Sequence, residues 1–374
     1  MLNTDQKFKG IDQIDLLIDE AGLNGVKRRE RYPDRKFYGF FCSYLPEELV
    51  LAAGMQPLRL FPSSIQGTPA ELPAYCCSLA KGTLSLAKPG NYHDLAGYGF
   101  VHTCDTMQCL GGIWQNVVSH DKSYMLVPPV MLGAPGAAKY FRIEAENLLA
   151  ALGRLTQSSP GNSEIAAAIK LCRQVRQLAG ELDQLRPMLP SQLVSALLRA
   201  GQVMPREEYA SALQNALPVL KEKAEEDGTR KKLLVTGAVL ENDSFFTMVE
   251  ELGGRVAADD TCTGYRHFIE PPVKEETANL MQTVINRYIE MPPCPCRNRG
   301  LDTRLNYLAS LARRRGATAA IILIRKYCDP HAWDAVPLAR GLRDAGIQAL
   351  VLELEGADVG GQERTRLQAF MESL

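Results

Sequence analysis

Two blocks of this 374-residue chain alternate short apolar runs with helix-length segments, and four of the runs stop at a cysteine. Residues 38–41 run into Cys42, and residues 98–103 into Cys104. Residues 255–258 reach Cys262 through Asp259, Asp260 and Thr261, and residues 319–324 reach Cys328 through Arg325, Lys326 and Tyr327. Strands separated by helices form parallel sheets covered by those helices. In open sheets of this kind ligands lie beyond the carboxyl ends of the strands, where these thiols fall. One such cysteine is explained by packing, since a free thiol behaves as a small hydrophobe. Four of them, with Cys76-Cys77 and Cys294-Pro295-Cys296 in loop-like stretches, point to a thiolate-bound metal.

The order of elements sets the layout. Residues 1–35 carry Ile11, Ile14, Leu16, Leu17 and Ala21 at helical spacing, followed by a charged stretch, and predict an amphipathic helical segment. Residues 36–135 predict a first α/β domain with strands at 38–41, 58–61, 98–104 and 124–127. A helix opens on Pro46-Glu47-Glu48 and stops at Gly54, with proline and acids suited to its start. Others cover 76–87 and 106–118, the last capped by Asp105. Residues 136–228 are rich in Ala, Leu, Gln, Arg and Glu and read as a string of helices, with 224–228 as linker. Residues 229–374 return to the alternation, with strands at 232–237, from 255 to Cys262, at 319–324 and at 349–354. Helices follow near Asn242, over 275–288 and 302–315, up to Gly346 and from Gln362.

Composition narrows the function classes. A net charge of −1 argues against broad nucleic-acid binding. There is no apolar run long enough to span a bilayer and no hydrophobic signal core at the start, which suits a cytoplasmic protein. Ten cysteines in a reducing compartment favour metal or catalysis over disulfides.

Spacing then bears on the metal. Structural zinc takes four ligands in short paired spacings, and only Cys294 and Cys296 are so paired. Iron–sulfur clusters accept thiolates from distant loops, so a cluster between two α/β domains fits better. Cys172, in an alanine-rich helical stretch, reads as core. A Cys–His nucleophile pair is the weaker reading, using Cys104 with His102 or His120, or Cys328 with His331. No Walker A or G-x-G-x-x-G pattern is present, so nucleotide hydrolysis belongs elsewhere. Ser43, Tyr44 and Glu47 lie at a strand-to-helix turn, either favouring the helix start or facing a substrate beside the metal.

These motifs, in this order, resemble the 2-hydroxyacyl-CoA dehydratase and benzoyl-CoA reductase family (dehydratase D-component). The resemblance rests on Phe41-Cys42-Ser43-Tyr44-Leu45-Pro46-Glu47-Glu48 with Ala52-Ala53-Gly54-Met55, Cys76-Cys77-Ser78-Leu79-Ala80-Lys81 and His102-Thr103-Cys104-Asp105-Thr106. It continues in Asp259-Asp260-Thr261-Cys262-Thr263-Gly264, Pro293-Cys294-Pro295-Cys296, Lys326-Tyr327-Cys328-Asp329-Pro330 and Gly361-Gln362-Glu363-Arg364-Thr365-Arg366. It spans nearly the whole chain outside the helical middle.

The resemblance implies two Rossmann-like or flavodoxin-like domains with parallel sheets, plus the helical middle segment. It implies a [4Fe-4S] cluster held by Cys77, Cys104 and Cys328, with Cys76 the less certain member of its pair. It also implies ketyl-radical dehydration or reduction of an acyl-CoA, driven by a low-potential electron. A separate ATP-dependent iron–sulfur activator would deliver that electron, and a homologous subunit would complete a heterodimer. The family's double-cubane branch implies instead an [8Fe-9S] cluster on six thiolates, here Cys77, Cys104, Cys328, Cys262, Cys294 and Cys296, in a homodimer that reduces small molecules. A non-catalytic electron carrier or metal-stabilised protein is the rival from another class. No nucleic acid or membrane partner is expected.

Overall fold

The computed structural model describes residues 6–23, 25–62, 67–118, 121–272 and 278–374. In the first block the parallel strands are β1 (Phe37–Phe40), β2 (Gln56–Arg59), β3 (Gly97–Val101) and β4 (Ser123–Leu126), in spatial order β2-β1-β3-β4. The second block repeats the arrangement with β5 (Lys231–Gly237), β6 (Gly254–Thr261), β7 (Ala319–Arg325) and β8 (Gln348–Leu354), in order β6-β5-β7-β8. Each sheet therefore reverses its winding between its first and third strands, opening a crevice at the carboxyl ends. The chain is α/β with two parallel sheets, as the alternation predicts.

Four long helices, Ala137–Thr156, Asn162–Gln184, Ser191–Val203 and Arg206–Lys223, fill the middle. The amino-terminal segment forms two helices, Asp12–Ala21 and Gly25–Arg31, rather than one. Ile14 and Leu17 of the first join a core with Leu193, Leu197, Leu213 and Leu217. The helix Leu280–Ile289 follows β6 in sequence, yet its Val284, Ile285 and Tyr288 pack in the first sheet's core beside Phe141 and Leu148. The start of the helix expected over 275–288 lies outside the described residues at 275–277. That crossing carries Cys294 and Cys296 from the second block towards Cys42.

One strand differs from expectation for a physical reason. β2 lies at 56–59 rather than 58–61 and includes Pro57. As an edge strand it bears a residue that cannot donate to the ladder. β6 continues through Asp259, Asp260 and Thr261, all buried. Asp260 accepts from Arg266 at 2.6 Å and from Thr236 at 2.7 Å, so polar residues occupy a strand because their partners are buried beside it.

Gly237 ends β5 at φ +124°, and a Cβ there would stand 2.0 Å from the Leu323 carbonyl oxygen. Only glycine permits that close approach. The carbonyl of Gly237 accepts the Cys262 amide at 3.3 Å, fixing where that thiol begins.

Candidate functional site

Cys77, Cys104 and Cys328 each occupy the N-cap position of a helix, namely Ser78–Ala87, Asp105–Val117 and Asp329–Asp344. Asp105, expected as a cap, is instead the first helical residue. Free amides and the dipole make a helix start favourable for anions. The three thiols also feel one another. Burial, then Cys77, push Cys328 up to about 12, with Cys104 and Cys262 adding to the rise. Burial raises Cys77 as well; Cys104 and Cys76 reinforce it, and the Ala80 and Leu79 amides oppose it. Cys76 is the more buried of the pair and packs in the first sheet's core with Leu84 and Met107, a cluster that Cys77 and Cys104 also adjoin. Tyr327, just before Cys328, holds φ +67°, an uncommon conformation for a bulky residue that turns the chain into the helix start.

A second thiol set adjoins the first. Cys262 follows β6, and Cys294-Pro295-Cys296-Arg297 is a tight turn closed by hydrogen bonds of 2.9 and 3.1 Å between Cys294 and Arg297. A hydrogen bond from Cys296, aided by Arg266 and Arg304 against burial, lowers Cys294 to about 6. Cys296 is raised well above the ordinary range, first by that same bond and then by burial. Burial raises Cys262 to about 12, with Cys294 adding. Cys42, at the end of β1, is raised by burial and then by Cys294 against the Tyr44 amide, and so belongs to this set too. His331 lies between the sets. Its Nδ1 is 3.2 Å from Cys328 Sγ and its Nε2 3.9 Å from Cys262 Sγ. Burial, with Arg304 and Arg266 nearby, lowers its pKa to about 3, so it is neutral. His120 lies outside the described residues.

The donor set suits a cluster. Thiols that raise one another's pKa do not ionise together in an empty site, whereas a bound metal deprotonates them outright. Among the described residues no three His, Cys, Asp or Glu side chains gather tightly enough to chelate one ion. A four-iron cluster is wider than an ion and takes thiolates spaced further apart. Around the thiols stand buried donors without acceptors: the Tyr44 hydroxyl, Arg297 Nε and Arg304 Nε. Such donors await an anionic partner.

The turn Ser43–Glu47 is tied across the crevice. Ser43 Oγ lies 3.0 Å from His267 Nδ1 and 3.3 Å from the Cys262 carbonyl. His267 Nε2 lies 3.1 Å from Glu47 Oε1, and Arg206 grips that carboxylate through Nε and Nη2 at 3.2 and 2.7 Å. Burial alone would raise Glu47, but Arg206 and His267 outweigh it and hold it well below the carboxylate range. Burial lowers His267 to about 4, although Glu47 opposes the shift. With Glu47 ionised, the His267 proton sits on Nε2, leaving Nδ1 to accept from Ser43. Arg59 Nη1 donates to Ser43 Oγ, Gln202 Oε1 and the Cys262 carbonyl at 3.1, 2.9 and 2.8 Å. Glu48 is bound by Arg176 and by the Tyr288 hydroxyl at 2.7 and 2.8 Å. Arg59, Arg206, His267 and His331 had no place in the sequence reading of the site, apart from His331 as a neighbour of Cys328. The polar pair Arg266-His267, four and five residues after Cys262, is the available signal.

Two parallel sheets with thiols at their facing carboxyl ends define a class of two-lobed α/β thiolate proteins. The chain belongs to the family of the 2-hydroxyglutaryl-CoA dehydratase D-component, whose family model matches residues 42–374. It is 23% identical to the (R)-phenyllactyl-CoA dehydratase beta subunit of Clostridium sporogenes over 100% of both chains. It is 25% identical to the beta subunit of the lactoyl-CoA dehydratase of Anaerotignum propionicum, covering 90% of this chain and 91% of that one. It is 23% identical to a subunit of the benzoyl-CoA reductase of Thauera aromatica over 88% of each. No helix among the described residues is long and apolar enough to cross a membrane.

Proposed function

We propose that this chain is the iron–sulfur subunit of a reductively activated 2-hydroxyacyl-CoA dehydratase or benzoyl-CoA reductase-like enzyme. The observation that carries the reading is the convergence of thiols from separate chain segments on the crevice between two parallel sheets. Cys77, Cys104 and Cys328 would hold a [4Fe-4S] cluster, which supplies a low-potential electron and a Lewis-acidic site when bound. The helix starts behind these three residues favour the anionic state of their thiolates. Glu47 fixes His267, His267 orients the Ser43 hydroxyl, and Ser43 thereby holds a proton at Oγ beside Cys262. Tyr44 offers an unpartnered hydroxyl near Cys294 for a hydrogen bond to an anionic ligand.

A specific observation favours a second reading. The sets Cys77, Cys104, Cys328 and Cys262, Cys294, Cys296 lie side by side with His331 between them, as a double-cubane [8Fe-9S] site on six thiolates would require. That site would belong to a homodimeric reductase of small molecules.

The relatives are named as subunits, and partner chains are part of the proposal: a homologous subunit and an ATP-dependent iron–sulfur activator. Exposed Tyr75, Tyr327 and Trp333 lie within five residues of Cys77 or Cys328 in sequence, and exposed aromatics favour a protein partner. The test is anaerobic turnover of (R)-phenyllactyl-CoA, lactoyl-CoA, benzoyl-CoA and small reducible molecules, with and without second subunit, activator, ATP and reductant. Turnover only with activator and ATP is expected. Full turnover with a mild donor and no ATP would overturn the proposal.

A further inference from the structure

A cavity of about 350 Å³ opens beyond the end of β2, between the amino-terminal helices, the middle helices and the second sheet. That volume suits a small organic molecule. Much of its wall is apolar, including Leu60, Phe61, Leu86 and Val203.

The polar groups on the wall are unequally satisfied. Among the acids, Glu241 is paired with Arg325, and Asp358 accepts from Asn242 at 2.7 Å. Arg199 is held bidentately by Asp243 at 2.6 and 2.5 Å. Two other buried guanidinium groups keep donors to spare. Arg59 is 3% exposed and uses only Nη1; its Nε and Nη2 have no hydrogen-bond partner among the described residues, and none of its bonds is to a carboxylate. Arg28 gives Nη2 to Asp94 at 2.7 Å, but its buried Nε has no partner. The unused edge of Arg59 is the one through which Arg206 grips Glu47 in this molecule. Arginine's planar fork matches a carboxylate along that edge.

We infer that this cavity binds a small apolar monocarboxylate, with its carboxylate on the Nε–Nη2 edge of Arg59 and its hydrocarbon body against Leu60, Phe61 and Leu86. The ligand is a free acid rather than a thioester, because the empty edge offers two parallel N–H donors and calls for two acceptor oxygens. No cysteine lines this cavity, but Arg59 joins it to the thiol site, since its Nη1 also bonds Ser43 and the Cys262 carbonyl.

The test uses the full chain, prepared anaerobically with its metal, and calorimetric titration with 3-phenylpropionate, 3-phenylpropionamide and 3-phenylpropionyl-CoA. The acid is expected to bind once per chain and at least about tenfold more tightly than the amide, as charge-assisted bonds require. Leu86→Trp adds bulk to the apolar wall and narrows the cavity; it should weaken acid binding by at least about tenfold while iron content stays at the wild-type level. Arg59→Gln should weaken the acid and leave the amide unaffected. Equal binding of acid and amide, no binding of the acid, or wild-type affinity in Leu86→Trp would each overturn the inference. Tighter binding of the CoA ester, equally blocked by Leu86→Trp, would overturn the free-acid assignment.

Discussion

Replacing Glu47 by Gln keeps the side chain's shape but removes the carboxylate that Arg206 holds through two hydrogen bonds of 3.2 and 2.7 Å. Arg206 is fully buried, and its remaining acceptor is the Met204 carbonyl at 2.8 Å. The variant therefore leaves a buried cation without its counter-charge. Breaking such a pair from one side costs about 3–5 kcal/mol, whereas replacing both members by uncharged side chains is often close to neutral. The loss is a large share of the roughly 5–15 kcal/mol that holds a folded protein together. Urea unfolding of the wild type, Glu47→Gln, Arg206→Met and the double variant reads both effects. Glu47→Gln should shift the unfolding midpoint strongly, and adding Arg206→Met should restore part of it. A single-variant cost below about 1 kcal/mol, or strictly additive effects in the double variant, would refute the ion pair as the tie between the crevice walls.

Acid should destabilise the protein through His267. Its folded pKa of about 4 lies below the unfolded value of 6.5, so the unfolded chain takes up the proton first as pH falls. Stability is then intact above about 6.5 and is lost progressively down to about 4, by up to about 3 kcal/mol. His267→Gln should flatten that part of the pH–stability curve, and an unchanged slope would refute the assignment. Gly237→Ala forces a Cβ against the Leu323 carbonyl at a positive φ and should cost about 1–3 kcal/mol. Because Gly237 also anchors the Cys262 amide, the variant should retain less iron after gel filtration; wild-type stability and iron would contradict it. Anaerobically purified protein should be brown and bleach in air, and a colourless protein after reconstitution would contradict the cluster.

The strands were legible because they are short, apolar and spaced by helices. The thiols at their ends were legible because a parallel sheet puts all carboxyl ends on one side. The strand up to Cys262 is legible from its apolar start, but the reason Asp259 and Asp260 can sit inside it is not, because only the fold buries Arg186 and Arg266 against them. The helical cap was misread at Asp105 because acids usually outrank cysteine there, while the helix starts on Cys104. The ties made by Arg59, Arg206 and His267 lie 16 to 224 residues from their partners and have no local period to announce them. Glu47 and Ser43 were singled out for a role facing substrate. Their bonds to Arg206, His267 and Arg59 could not be read from a turn with two glutamates.

The most direct measurement is iron, sulfide and zinc per chain after anaerobic reconstitution, in the wild type and in Cys77→Ala, Cys104→Ala, Cys328→Ala and Cys172→Ala. The wild type should carry about four irons, or about eight if both thiol sets are filled, with matching sulfide and no zinc. Each of the first three variants should lose most of its iron. Cys172→Ala should keep all of it, because that thiol is buried in the helix Asn162–Gln184 away from both sets. Zinc in place of iron, or equal iron loss in all four variants, would contradict the account.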